Sequence, residues 1–365
     1  MKMAAVGLTS TSCPFATGAI AAKVQGSELG DHEAMAYAKV KGKIIQCKLC
    51  PRGCVVPDGR RGYCGVRENQ GGTYKSLVYG RVGAAHVDPI EKKPLFHFLP
   101  GNTAFSIATA GCNVECLFCQ NWRLSQSKPE QLQTTRMPPE KVAAEAVSQN
   151  CDIIAYTYNE PTIFYEFMLD CAREGKKKNL QSVMISNGYM NPEPMKTVCK
   201  ELGGIKIDLK SFSDEFYKKY VDGELKPVLK TIELIKKLDM HLELVTLLIS
   251  GLNDSDDEIG KMAQWVVKNL GKDVPMHFSR FHPCYKMKNI SRTPIKTVER
   301  AQSIALDEGV HYSYVGNAPG HKYENTFCHS CGAKIITRYG FHIGEVHIKD
   351  GKCEFCGAEI PGVWD

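Results

Sequence analysis

At 365 residues, with 43% hydrophobic and 24% charged residues, the chain has the make-up of a globular protein: one large α/β barrel with small appendages, or two to three ordinary domains. No apolar run reaches the length of a membrane span and the N-terminus makes a poor signal peptide, so a cytoplasmic location is expected. The net charge of +6 rests on groups such as Lys176-Lys177-Lys178, which read as solvated faces; without a recognition module, nucleic acid is not an expected partner.

Residues 1–30, rich in Ala, Gly, Ser and Thr, read as a flexible tail, followed by a short helix over Asp31–Lys39. Residues 31–100 read as a cysteine-rich module with a connector. Cys47, Cys50, Cys54 and Cys64 suffice for one metal centre, either structural zinc or an auxiliary iron–sulfur cluster. Short strands are expected from Tyr74 to Ala85, and Asp88–Pro94 reads as a Pro-rich connector.

From 101 to 320 the pattern is strand, loop, helix, repeated. Strands are expected at Phe105–Thr109, Asp152–Tyr156, Gln181–Ile185, Gly204–Leu209, Leu242–Ile249 and Pro275–Phe281, with a seventh at His311–Val315. Pro138-Pro139 opens one helix, and Ser255 with Glu258 forms a capping box for another that Gly271 ends. Such units close into a partial parallel (βα)6 barrel of the TIM type, with chemistry at the C-terminal strand ends.

On the loop after the first of these strands, Cys112, Cys116 and Cys119 stand in a C-x3-C-x2-C pattern. No fourth Cys or His lies close by, as zinc would want. Three thiolates on a four-cornered [4Fe–4S] cube leave one iron open to bind and reduce something. Residues 321–365 carry Cys328, Cys331, Cys353 and Cys356 as paired C-x2-C-G knuckles, a zinc-ribbon or rubredoxin-like pattern whose stability the metal would carry. Of the scattered cysteines, Cys171 and Cys199 lie on apolar helix faces and read as small buried hydrophobes.

The three-cysteine loop resembles that of the radical S-adenosylmethionine (SAM) superfamily. With Asp88–Leu95, Tyr156-Thr157-Tyr158-Asn159-Glu160-Pro161, Ile207-Asp208-Leu209-Lys210, Phe281-His282-Pro283, Tyr314-Val315-Gly316-Asn317 and both flanking cysteine groups, the chain resembles the AmmeMemoRadiSam-type proteins, relatives of pyruvate formate-lyase activating enzyme. The resemblance implies a [4Fe–4S] cluster on Cys112, Cys116 and Cys119 that chelates SAM, and reductive cleavage to methionine and a 5′-deoxyadenosyl radical. It implies cofactor contacts from Asn159, Glu160, Ser186, Asn187, Asp208, Lys210 and His282. A low-potential donor, ferredoxin or flavodoxin, would supply the electron. The substrate would be a protein, as for an activase, or a small molecule; Memo-type and AMMECR-type proteins are expected partners. In the activases the fifth strand carries a basic residue for the SAM carboxylate; Leu242–Ile249 has none, leaving Lys210, a more distant residue or a neutral contact from Thr246.

Overall fold

The computed structural model describes residues 32–365, so the 1–30 tail, Asp31 and Cys13 lie outside the described residues. An eight-stranded sheet organises the rest. Its strands are β1 (Ala84–Pro89), β2 (Thr103–Ala108), β3 (Ile153–Tyr156), β4 (Gln181–Ser186), β5 (Gly204–Asp208), β6 (His241–Leu248), β7 (Met276–Arg280) and β8 (Ser313–Gly316), each paired with the next. All are parallel except β1, which runs antiparallel to β2. Helices α1 (Pro139–Ser148), α2 (Tyr165–Lys176), α3 (Pro192–Glu201), α4 (Leu225–Lys237), α5 (Asp256–Leu270) and α6 (Ile295–Asp307) fill the six crossovers between β2 and β8. Six βα units in an open sheet make the expected partial barrel. Among the described residues no helix is long and apolar enough to cross a membrane.

The strands read as near-continuous apolar runs because both faces are covered. On one face Phe105, Ile107, Ile154, Tyr156, Met184 and Ile205 pack with Phe167, Met168, Val198, Ile232 and Ile259 of the helices. On the other, Ala104, Ile153, Ala155 and Val183 meet Ile90, Leu95, Phe98 and Leu99. Phe98 reaches in where β5 begins with glycine: a Cβ on Gly204 would lie 2.9 Å from its ring. On the same face Glu243 and His277, at the starts of β6 and β7, meet His97 and Phe96, while Lys206 and Asp208 lead along β5 to its C-terminal end.

Two local expectations fail. Asp31–Lys39 is not a helix: His32–Glu33 and Tyr37–Lys41 are strands, and Ala36 between them has φ 54°. Tyr37–Lys41 folds onto Ile44–Cys47 through a turn at Gly42, φ 57°, so pairing overrides local propensity. The connector at Asp88–Pro94 is half strand, since Asp88-Pro89 finish β1. Pro89 is tolerated there because β1 is an edge. The capping box forms by half: Ser255 Oγ accepts from Glu258 N, but the Glu258 carboxylate turns away to accept from Ser211 and Phe212 N. Cys171 is fully buried, as expected, while Cys199 is partly buried against the same core.

The C-terminal residues fold as the antiparallel strands Lys334–Tyr339 and His342–Val346. Their module shares a core with the barrel edge, where Cys328, Ile335, Cys353 and Ile360 pack on Phe96, Tyr312 and Tyr314. His97 locks this junction: Nδ1 donates to Pro361 O at 2.7 Å and Nε2 accepts from Tyr314 Oη at 2.6 Å. Burial pushes His97 down to about 4, with Arg338 adding to the push and Glu243 and the Pro361 carbonyl opposing. A histidine depressed on folding lends stability that is present above its unfolded value near 6.5 and lost as pH falls through 4, at most about 3 kcal/mol. Denaturation midpoints should therefore drop between about pH 6.5 and 4, and less steeply for His97→Gln.

Candidate functional site

β2 hands the chain to residues 109–121, which carry the three cysteines across the C-terminal end of the sheet. The turn needs Gly111, φ 92°, since a Cβ there would sit 2.5 Å from Val66 Cγ1 and 2.9 Å from Cys64 O. Backbone hydrogen bonds pin the loop on two sides. Glu115 N and Leu117 N donate to Val221 O and Tyr220 O, both at 2.9 Å, and Leu117 O accepts from Lys286 N at 3.0 Å.

Cys112, Cys116 and Cys119 are free thiols, Cys116 buried and the others partly so. Burial pushes Cys116 up to about 12 while Lys210 pulls it down, and Glu160 adds to the burial that raises Cys112. Ser125 Oγ lies 3.1 Å from Cys119 Sγ. The three sulfurs fall outside the 4.8 Å mutual limit that, among the described residues, only the C-terminal cysteines meet. They are therefore too far apart to share one ion, and they fit a cluster whose thiolates sit on separate irons.

Glu160 is buried and joins the ends of β3 and β4. Oε1 accepts from Thr162 N at 3.0 Å, Thr162 Oγ1 at 2.6 Å and Ser186 Oγ at 2.8 Å, and Oε2 from Asn187 N at 2.7 Å. Burial raises its carboxyl and these donors pull it back. Glu160 caps the short turn Pro161–Phe164, yet Oε2, with one donor, keeps a lone pair for another. Asn159 is spent on the backbone: Oδ1 accepts from Thr109 N and Nδ2 donates to Gly111 O at 2.9 Å, fixing the loop's start. Asn187 Nδ2 donates to Asn113 Oδ1 at 2.8 Å and points at Cys112 Sγ, 3.9 Å away.

On β5, Asp208 pairs with Lys210 at 2.8 Å and with Lys206, giving one net positive charge beside the thiols. Burial would raise Asp208, but the two lysines hold it well below the usual carboxylate range. Burial pushes Lys206 down, whereas Asp208 and Cys116 outweigh burial at Lys210 and hold it up. Thr246 is engaged elsewhere, donating to Leu209 O at 2.9 Å and contacting Met262 of α5. His282 follows β7, partly exposed, with Arg280 and Arg292 as charged neighbours and no hydrogen bond to the other site residues.

Sequence reading missed Lys206, although Lys206, Asp208 and Lys210 alternate on one strand face. It also missed Asn113, which donates to Tyr189 O at 2.7 Å and steadies the loop against β4. A third omission is Asp88 on β1, which accepts from Lys93 at 2.6 Å, Lys92 at 2.7 Å and the Tyr158 hydroxyl. No spacing marked that group. At the other end, Cys328, Cys331, Cys353 and Cys356 present four sulfurs within 4.8 Å of one another, ready for one tetrahedral ion.

The family model of the radical SAM superfamily matches residues 106–266. An uncharacterized protein of Methanocaldococcus jannaschii is 43% identical over 330 residues, covering 90% of this chain and 98% of its own. A second from the same organism is 24% identical, covering 73% and 75%. Among solved structures, a domain of pyruvate-formate lyase-activating enzyme from Bacteroides vulgatus is 18% identical and covers 45% of this chain and 98% of its own, with a TM-score of 0.41. Streptococcus suis SuiB bound to its precursor peptide SuiA is 10% identical, covers 63% and 52%, and has a TM-score of 0.49. With its cysteine loop at the mouth of a partial βα barrel, the chain belongs to the radical SAM superfamily.

Proposed function

We propose that Cys112, Cys116 and Cys119 hold a [4Fe–4S] cluster whose open corner takes SAM, in an enzyme that resembles the glycyl-radical activases. When bound and reduced, the cluster would supply the electron that cleaves the C5′–S bond of SAM, to methionine and a 5′-deoxyadenosyl radical able to take a hydrogen atom from substrate. One observation carries this reading: three pinned, separated thiols face a Lys–Asp–Lys group with one uncompensated positive charge.

The chain's own residues divide the work. Lys206 and Lys210 offer the SAM carboxylate the cation that β6 lacks, and Asp208 keeps both aimed inward. Glu160 Oε2 accepts from the SAM ammonium, and Ser186 and Asn187 fix that carboxylate and flank the cofactor. Asn159 acts one step back by setting the loop. His282 would lie towards the adenosine. The C-terminal cysteines hold structural zinc. Lys210→Met should weaken SAM binding about tenfold, the loss of one charge-assisted hydrogen bond, with equilibrium dialysis against labelled SAM as the check.

The substrate reading is a protein, by kinship to the activases, with a small molecule as the alternative. Memo-type and AMMECR-type proteins are the proposed partners, and a ferredoxin or flavodoxin the electron donor. Deuterated candidates should pass deuterium into 5′-deoxyadenosine; if every protein candidate stays silent while a small molecule transfers, the activase reading falls.

A further inference from the structure

Four clustered cysteines belong neither to the 112–119 loop nor to the C-terminal group. Cys47, Cys50, Cys54 and Cys64 all line one cavity, together with Arg52, Arg67 and Asn113. None forms a disulfide. A backbone N–H approaches each sulfur: Leu49 at Cys47, Arg52 at Cys50, Tyr63 at Cys54 and Val66 at Cys64. A thiol is a weak acceptor, whereas hydrogen bonds to metal-bound sulfur stabilise the thiolate.

The molecule supplies its own comparison. In the C-terminal group the sulfurs of Cys328 and Cys356 lie 3.7 Å apart and those of Cys331 and Cys353 3.9 Å. One tetrahedral ion with bonds of about 2.3 Å sets its sulfurs about 3.8 Å apart. The N-terminal four are not drawn together in this way, since no other such group among the described residues meets the 4.8 Å limit. Four thiols that line one site without closing to the spacing of a single ion suit a centre that spreads them over several irons.

We propose that Cys47, Cys50, Cys54 and Cys64 hold a second iron–sulfur cluster, fully closed by thiolates, beside the catalytic loop. Having no open iron, it stores and passes electrons. Asn113 spans the gap: it lines the cavity, and its Oδ1 lies 4.0 Å from Cys112 Sγ. In a transfer the second cluster loses one electron, the catalytic cluster gains it, and a low-potential protein donor restores the first. This assignment stands apart from SAM cleavage.

The test uses the full chain with Cys112→Ala, Cys116→Ala and Cys119→Ala, reconstituted anaerobically with iron and sulfide. About two or four irons with matching sulfide should remain per chain, with a dithionite-induced paramagnetic signal that SAM leaves unchanged, and about one zinc. No iron and about two zincs per chain would overturn the proposal, whatever the unaltered protein does to SAM. Adding Cys54→Ser and Cys64→Ser should then remove the iron; iron retained at full stoichiometry would equally contradict it.

Discussion

Arg67→Ala or Glu166→Ala should each lower the unfolding free energy by about 3–5 kcal/mol, because either leaves a lone charge in the interior. Both side chains are 1% exposed, and the guanidinium grips both carboxylate oxygens while also reaching Ile163 O at 3.3 Å and Met35 O at 3.2 Å. Glu166 in turn accepts from Met35 N at 2.5 Å. One pair thus ties the N-terminal module to α2. Arg67→Met with Glu166→Leu should recover most of the loss, since the pair's attraction is offset by desolvation, although the Met35 and Ile163 groups stay unpaired. Denaturant midpoints for the wild type, Arg67→Met, Glu166→Leu and the double variant close the cycle. A double variant as weak as the sum of the singles would show that the charge is not what matters there.

Glu160→Ala should have the largest effect on catalysis short of removing a cysteine. It strips the partner from Thr162 N, Thr162 Oγ1, Ser186 Oγ and Asn187 N together. Each unpaired buried donor costs about 1–3 kcal/mol, and Asn187 also positions Asn113 against the cysteine loop. A fall in SAM cleavage of about a hundredfold or more is expected, with Glu160→Gln falling less because one oxygen survives. Iron content separates the causes: retained iron with lost SAM affinity marks a cofactor contact, lost iron a collapsed loop.

How far the sequence carried the fold depended on how local each signal was. β3 to β7 fall within a residue or two of their expected bounds because each lies between a helix signal and a loop signal. β1 was hidden because its partner β2 lies beyond Leu95–Leu99 and because Pro89 reads as a breaker. The helix expected over Asp31–Lys39 gives way to strands because the pairing of Tyr37–Lys41 with Ile44–Cys47 leaves no trace in composition. At the site the thiols were legible from their spacing, and Glu160, Asp208 and Lys210 from the family resemblance. Their partners were not: that Asn159 holds Gly111, and Thr246 holds Leu209, follows from which strand ends meet.

The most direct measurement is 5′-deoxyadenosine formed from SAM by the anaerobically reconstituted, dithionite-reduced protein. The wild type should release it with methionine, about one to one, and Cys112→Ala should lose at least about a thousandfold, a barrier change of about 4 kcal/mol. A Cys112→Ala chain that cleaves SAM as well as the wild type would contradict the assignment of the open iron site to this loop.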